Sequence, residues 1–260
     1  MRVLVTNDDG IDSAGLQVLA SVAAEAGLDV VVAAPHEERS GSSASLVATR
    51  ADGRLQLREE RLPGLDHVRA FAVEATPAYI TWAGVRGAFG DRPDLVLSGV
   101  NKGPNTGHAV LHSGTVGAAF TANAHGLPAL AVSLTAPDPS HWATAALVAT
   151  RTLRWMLEQE SLGPAVINVN VPDVPADRLR GVTSAPLASF GAVQADIADV
   201  GEGFVTLTFS EIDVSVEPHT DAGLQKAGWA TVTALTGPRE ADRPPLHGLV
   251  DAVSPPAEGR

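Results

Sequence analysis

The sequence predicts an α/β protein in which one mainly parallel sheet is followed by a β-rich C-terminal part. Up to Val171, short apolar runs alternate with helix-length segments, which is the pattern of βαβ units and a parallel sheet. Beyond Pro172 apolar and polar residues alternate, which indicates half-buried strands. The chain has 260 residues and is 45% hydrophobic but only 4% aromatic. It can therefore bury a large core, filled mainly by alanine, valine and leucine.

The first predicted unit is a strand, a helix and a second strand. Val3–Val5 is apolar and stops at a polar run. A helix is predicted from about Ala14 to Ala26, because its leucines and valines share one face and Gly27 can end it. Val30–Ala34 predicts the second strand, which Pro35 ends. The polar stretch that follows, residues 36–45, predicts a loop.

The same alternation continues through the middle of the chain. Thr76-Pro77 is a good helix start, because threonine can cap a helix and proline suits its first position. Two more helices are expected, one from Ser113 and one over about His141–Leu157. Further strands are predicted at Arg54–Arg58, Val68–Val73, Leu95–Ser98, Leu130–Leu134 and Val166–Val171.

The C-terminal part predicts a β-hairpin at about 204–216. Phe204–Phe209 and Ile212–Val216 both alternate in polarity, and two residues separate them, which is the spacing of a tight hairpin turn. A short segment at Thr220–Ala227 and a strand at Ala230–Leu235 follow. We expect one domain over 1–237 and a loose tail over 238–260, where proline, arginine and acidic residues are frequent.

Composition and charge exclude several functions. A formal net charge of -12 argues against binding to nucleic acid or to a membrane surface, both of which need clustered lysine and arginine. The absence of cysteine excludes disulfides, thiolate metal sites and cysteine nucleophiles. Neither a signal peptide nor a run of membrane-spanning length is evident. These features predict a cytoplasmic globular protein.

Polar clusters follow several of the predicted strands. They are Asn7–Gly10, Arg39–Gly41 and Ser98–Asn101, and a fourth cluster, His112–Thr115, opens a helix. Ligands of parallel α/β sheets bind outside the carboxyl ends of the strands. We therefore expect these distant segments to meet on one rim and to form a site there.

Asp8 and Asp9 are the strongest candidates for a metal site. Two adjacent carboxylates at the end of a buried strand repel each other and lose hydration, and a bound cation relieves both costs. The alternative is that one aspartate only caps the next helix. Ser40 and Asn101 add a hydroxyl and an amide oxygen, and such hard donors suit Mg²⁺ or Mn²⁺ better than zinc. Taken singly, Ser40 and Asn101 are equally typical of turns.

Two segments are candidates for holding an anion. The glycine-rich run Asn101–Gly107 would let backbone amides approach a phosphate, although an ordinary flexible loop has the same composition. Ser113-Gly114-Thr115 opens an apolar helix, whose free N–H groups and positive dipole end favour a phosphate. The alternative is that Ser113 simply caps the helix, and the two roles are compatible. Arg39 and Lys102 could offset phosphate charge. Three histidines, His36, His108 and His112, lie nearby in sequence.

Two other classes with an acidic pair after the first strand fit poorly. A phosphatase of the haloacid dehalogenase type needs a second aspartate two residues after its nucleophile, but Gly10 and Ile11 occupy those positions here. A response-regulator receiver needs a phospho-accepting aspartate at the end of a later strand, where this chain has Ser98-Gly99.

The ordered set of motifs resembles the survival protein E (SurE) family of metal-dependent 5′-nucleotidases. The resemblance covers nearly the whole chain, to about Gly237. The matching stretches are Val5–Gly10, Ala34-Pro35, Arg39–Ser43, Thr76-Pro77, Ser98–Asn101 with Gly103 and Asn105, Ser113–Ala119, and, more weakly, Asn168–Pro172 and Thr220-Asp221 with Gly228.

The resemblance implies a Rossmann-like, three-layer α/β/α fold with a mixed, mainly parallel sheet and a protruding C-terminal hairpin that reaches a partner in a homodimer or homotetramer. It implies hydrolysis of nucleoside 5′-monophosphates, extending to 3′-nucleotides and short polyphosphate. The implied ligands of one Mg²⁺ or Mn²⁺ per subunit are Asp8, Asp9, Ser40 and Asn101, with Asp9 and Asp8 catalytic. The implied phosphate contacts are Asn105, Ser113, Gly114 and Thr115.

Three positions depart from the family pattern. Ala75 replaces a common glycine, His112 a common tyrosine and His108 a common acidic residue. These changes spare the metal set and bear on substrate preference. The alternative to an enzyme is a nucleotide- or polyphosphate-binding module that has kept the pocket and lost turnover.

Overall fold

A nine-stranded sheet forms the centre of the molecule. The structure is a computed structural model and describes residues 1–51, 54–160, 162–189, 193–201, 204–211 and 217–238. The strands are β1 (Arg2–Thr6), β2 (Asp29–Pro35), β3 (Arg50–Ala51), β4 (Arg54–Leu55), β5 (Leu57–Glu60), β6 (Arg69–Val73), β7 (Leu95–Lys102), β8 (Ala129–Leu134), β9 (Val166–Val171), β10 (Val182–Ser184), β11 (Val193–Gly201), β12 (Phe204–Glu211) and β13 (Ala230–Leu235).

The strand order of the main sheet is β10-β13-β9-β8-β7-β1-β2-β6-β5. Only the β9–β13 and β5–β6 pairs are antiparallel. From β1 the chain builds outward through β2 to β6, whereas from β7 it builds the opposite way through β8 to β9. The switch point therefore lies between β1 and β7, which is where open α/β sheets bind ligands.

Helices cover both faces of this sheet. They are α1 (Ala14–Glu25), α2 (Pro77–Gly84), α3 (Gly114–Ala124), α4 (Trp142–Glu158) and α5 (Asp221–Lys226), with 3₁₀ turns at Gly107–His112 and Ala176–Arg178. The helices α1 and α4 share one buried apolar cluster with the sheet, and α2 and α3 share a second. The result is the expected Rossmann-like three-layer α/β/α fold with a mixed, mainly parallel sheet.

Sequence signals explain the starts of α1, α2 and α3, although Thr76 before α2 makes no side-chain capping hydrogen bond. Ser13 accepts a hydrogen bond from the amide of Leu16 and caps α1, and Ser113 does the same for Val116 at the start of α3. Pro77 occupies the first turn of α2, where its missing N–H costs nothing. Among the described residues, no helix combines the length and apolarity needed to cross a membrane.

Two predicted β features need correction. The predicted strand Arg54–Arg58 is interrupted at Gln56 and forms two strands, of which β4 pairs with β3 and β5 with β6. The predicted turn at Ser210 and Glu211 is wrong, because both residues continue β12 and pair with Gln194 and Val193. The hairpin therefore joins β11 to β12. The second strand of the predicted hairpin, 212–216, lies outside the described residues, as does the predicted tail from residue 239.

Candidate active site

The turn after β1 projects the two adjacent aspartates from the switch point. Asn7 is fully buried there, and its side-chain amide donates to the Gly10 carbonyl at 3.1 Å and to Ser13 Oγ at 2.6 Å. These bonds tie the end of β1 to the start of α1. The backbone between them, which carries Asp8 and Asp9, consequently has a fixed path.

Asp8 lies against the N-terminus of α3. Its side chain is buried, and Thr115 Oγ1 donates a hydrogen bond to its Oδ1. Burial raises the pKa of Asp8 above 3.8, and hydrogen bonds from the Thr115 hydroxyl and from the amides of Thr115 and Gly114 oppose that rise. The positive end of α3 thus faces a carboxylate.

Gly114 makes this close approach possible. A Cβ atom there would lie 2.7 Å from Asp8 Oδ2, 2.8 Å from Asp8 Cβ and 2.6 Å from Ser42 Oγ. All three distances are shorter than any ordinary contact of a Cβ atom. The glycine therefore lets the first turn of α3 pack directly on the metal-ligand candidate.

Asp9 is partly buried beside the end of β7. Its Oδ2 accepts a hydrogen bond from the amide of Lys102 at 3.2 Å. Burial and the neighbouring charges of Asp8 and Glu38 raise the pKa of Asp9 to about 6, although the Lys102 amide and ammonium act in the opposite direction. Three carboxylates, Asp8, Asp9 and Glu38, therefore act close together at this rim, which favours binding of a divalent ion.

Asn101 presents an oxygen to the same place. Its amide nitrogen donates to the carbonyls of Lys102 and Gly103 at 3.1 and 2.9 Å. Those bonds turn its Oδ1 toward the site, where it lies 3.4 Å from the Thr115 hydroxyl that contacts Asp8. Asp8, Asp9 and Asn101 are therefore brought together as the sequence predicts.

Ser40 belongs to the same rim but contacts a different acid. The amide of Arg39 donates to the Asp8 carbonyl at 2.7 Å, which anchors this loop beside the aspartates. Ser40 itself is exposed, and its Oγ donates to Glu38 at 2.6 Å. Glu38, whose charge acts on Asp9, was missed by the sequence reasoning. The sequence signal that could have indicated Glu38 is its position two residues before Ser40.

The donor set fits a hard cation. Among the described residues, no group of three or more histidine, aspartate or glutamate side chains could hold a metal ion. The candidates at this rim are two carboxylates and neutral oxygens, a set whose chemistry suits Mg²⁺ or Mn²⁺. The Oγ of Ser42 lies near Asp8 and is buried without a hydrogen-bond partner in the described part of the chain. It marks a polar space beside the carboxylates.

Asn105 has a structural role in the glycine-rich loop. It is buried, its amide nitrogen donates to Ser133 Oγ at 2.8 Å, and its backbone N–H donates to Asn170 Oδ1 at 2.8 Å. The side-chain amides of Asn168 and Asn170 both donate to its carbonyl at 2.9 Å. These four bonds fasten the loop over the ends of β8 and β9.

Ser113 is buried at the start of α3, whereas the three candidate histidines are exposed. Ser113 is buried and caps α3, which leaves the amides of Gly114 and Thr115 as the ones directed to the site. His36 and His112 are exposed. Glu217 takes hydrogen bonds from Ser189 and lies near His108, and both effects lower the pKa of Glu217. His108 therefore lies close enough to Glu217 for their charges to interact.

Comparison with known proteins decides the family. The model of the family described as survival protein SurE matches residues 3–192. The chain belongs to the SurE family. The matched span includes every residue proposed above for the metal and the phosphate. The described elements β11, β12, α5 and β13 lie beyond the matched span.

Individual SurE proteins resemble the chain over most of its length. The 5′-nucleotidase SurE of Stenotrophomonas maltophilia is 41% identical over 183 residues, which are 70% of this chain and 67% of that protein. The 5′/3′-nucleotidase SurE of Erwinia tasmaniensis is 36% identical over 241 residues, 90% of each chain. A crystal structure of a SurE protein from Aquifex aeolicus superposes with a TM-score of 0.74 at 28% identity, covering 91% of this chain and 93% of that one. These matches confirm the resemblance and the fold.

Proposed function

We propose that this SurE protein is a divalent-metal-dependent nucleotidase that hydrolyses nucleoside 5′-monophosphates and also accepts 3′-nucleotides and short polyphosphate. The observation that carries the proposal is the adjacent pair at the switch point, Asp8, which is buried against the N-terminus of α3, and Asp9, which is partly buried. The related 5′- and 5′/3′-nucleotidases support the choice of substrate.

In this proposal Asp8, Asp9, Ser40 and Asn101 hold one Mg²⁺ or Mn²⁺ per subunit. When bound, such an ion supplies Lewis-acid stabilisation of the charge that develops on the phosphoryl group. Its positive charge also stabilises the ionised forms of both aspartates, whose pKa values burial raises. The Ser40 hydroxyl donates its hydrogen bond to Glu38, which leaves the lone pairs of its oxygen for the ion.

The protein's own groups orient the reaction. The Asp9 carboxylate orients the attacking water and accepts its proton. The Gly114 and Thr115 amides and the Thr115 hydroxyl stabilise negative charge at the start of α3. Lys102, exposed beside Asp9, offsets phosphate charge. Asn105 and Ser113 complete the phosphate contacts. Asn105 contributes the N–H of its side-chain amide that does not donate to Ser133.

We further propose a single domain over 1–237 and a homodimer or homotetramer in the cytoplasm. The two-stranded sheet β11–β12 is separate from the nine-stranded sheet, as expected of a hairpin that reaches a partner subunit. The sequence resemblance supports the assembly, and the net charge of -12 supports a location away from acidic surfaces such as nucleic acid and lipid headgroups.

Phosphate release from nucleotides tests the function directly. We expect purified protein to release phosphate from AMP and GMP with Mn²⁺ or Mg²⁺, and chelation with EDTA to reduce the rate to the uncatalysed background. Adding back the metal should restore it, because the carboxylate pair keeps its geometry through the surrounding hydrogen bonds. Nucleotide binding without phosphate release would instead support the binding-module alternative.

A further inference from the structure

A cavity opens at the same edge of the sheet as the aspartates, on the β2 side of β1. It has a volume of about 200 Å³ and lies at the carboxyl ends of β2 and β6 and the start of β5. That volume is many times what a single water molecule needs, and it is room for a planar base. Its lining residues are His36, Gln56, Leu57, Arg58, Ala72 and Glu74.

The cavity is connected to the metal-site candidate by one short loop. The amide of Ile11 donates to the carbonyl of Pro35 at 2.8 Å, and the amide of Arg39 donates to the carbonyl of Asp8 at 2.7 Å. The loop between them begins at His36 in the cavity wall and reaches the aspartates three residues later. The two places therefore share a single piece of backbone.

The spacing between strands gives the distance between the cavity and the strand that carries the aspartates. The order β1-β2-β6-β5 and a spacing of about 4.8 Å between neighbouring strands place the cavity one to three strands from β1. Its walls are thus about 5–14 Å to the side of the strand that carries Asp8 and Asp9. A nucleotide whose phosphate lies at the aspartates extends by its ribose before its base begins, so the base falls within this range.

The lining groups have the chemistry of base recognition. His36 and Arg58 are exposed and planar, and such groups stack on nucleobases. Leu57, 46% exposed, offers an apolar surface to the same ring. The Glu74 side chain is 35% exposed, and Arg39, which is 4.0 Å from it, bonds more closely to Glu37 at 2.9 Å. Glu74 therefore keeps acceptor capacity.

A carboxylate discriminates among bases by their donors. It accepts from amino groups, as glutamate does from cytosine N4, and guanine offers a ring N–H beside its amino group. Uracil has no amino group and flanks its single N–H with two carbonyls. A base pocket with a free carboxylate thus favours guanine most and uracil least.

We infer that this cavity is the nucleobase subsite and that Glu74 selects bases carrying an amino group. The inference rests on the proposed nucleotidase function. A larger apolar groove of about 480 Å³ beside Trp155 and Val232 is a poorer candidate, because it lies under α4 and nothing in the structure shows what covers it.

Glu74→Gln, His36→Ala and the control Glu59→Gln separate recognition from catalysis. Glu59 is exposed on the same edge strand and outside the cavity. For Glu74→Gln we expect KM for GMP to rise about tenfold, the loss of one charge-assisted hydrogen bond, with kcat unchanged. KM for UMP and for ribose 5-phosphate, which has no base, should change less than about twofold. His36→Ala should raise KM for both nucleotides and leave ribose 5-phosphate unaffected.

If KM changed equally for GMP, UMP and ribose 5-phosphate, or if KM for GMP did not change, the assignment of the cavity as the nucleobase subsite would be overturned. Equilibrium dialysis with guanosine and uridine measures the base preference by binding alone, without any catalysis. Wild-type protein should bind guanosine more tightly than uridine, and Glu74→Gln should lose that preference. An inactive protein that still prefers guanosine would contradict the nucleotidase function but support the subsite. An active protein without that preference would support the nucleotidase function but contradict the subsite.

Discussion

The Asp9→Asn variant is expected to lose about 100- to 10,000-fold in kcat, the usual contribution of a positioned general base. An amide has the shape of the carboxylate but neither accepts the proton of the attacking water nor supplies charge to the cation. The rate is measured as phosphate release at saturating Mn²⁺, so that weaker metal binding does not by itself explain the loss. Asp12→Asn is the matched control, because Asp12 is exposed in the same loop, and it should stay within about twofold of wild type.

The same variant should be more stable than wild type when metal has been removed. The pKa of Asp9 is raised from 3.8 to about 6 in the folded protein, so folding is favoured most below pH 3.8 and that contribution is lost as pH rises through about 6. Two units correspond to about 3 kcal/mol, which partial exposure reduces to about 1–2 kcal/mol. Denaturant unfolding in EDTA should show this gain at pH 8 and none at pH 4. Equal stability at both pH values, with wild-type turnover, would refute the role of Asp9.

Gly114→Ala is expected to lower kcat/KM by at least about 100-fold, because misplacement of a reacting group by about 1 Å has that cost. The new methyl group would lie 2.7 Å from Asp8 Oδ2 and 2.8 Å from Asp8 Cβ, so Asp8 or α3 must move. Alanine is favoured over glycine in a helix by about 1 kcal/mol, and the circular dichroism spectrum should therefore remain that of the folded protein.

A second substitution distinguishes displacement of Asp8 from general crowding. Ser42→Ala removes the hydroxyl that lies 2.6 Å from the new methyl group and leaves the contacts with Asp8 in place. The Gly114→Ala/Ser42→Ala double variant should remain as impaired as Gly114→Ala. Recovery of activity in the double variant would show that crowding at Ser42, and not at Asp8, caused the loss.

The parallel sheet could be predicted well because its strands are apolar throughout and bounded by turn residues. Val166–Val171 and Ala230–Leu235 have the predicted bounds. The hairpin could not, because alternation in Phe204–Glu211 indicates a strand without identifying its partner. That partner, Val193–Gly201, contains three aspartates or glycines at 196, 199 and 201, residues that are infrequent in strands.

The metal-site candidate was predictable for a different reason. Strands β1, β2 and β7 are parallel, so the polar residues at their carboxyl ends lie at one edge of the sheet. Sequence order does not determine which way a side chain turns on that edge. The orientation of the Asn101 amide, the bond from Ser40 to Glu38 and the four bonds around Asn105 all depend on groups distant in the chain or on loop geometry. These details required the structure.

Calorimetric titration of Mn²⁺ into metal-free protein tests most directly whether side chains from three loops hold one cation. We predict one ion per chain for wild type, no measurable binding for Asp8→Asn, and affinity at least about tenfold weaker for both Ser40→Ala and Asn101→Ala. Wild-type affinity in Asp8→Asn, or an unchanged titration in both of the other variants, would contradict the proposed site.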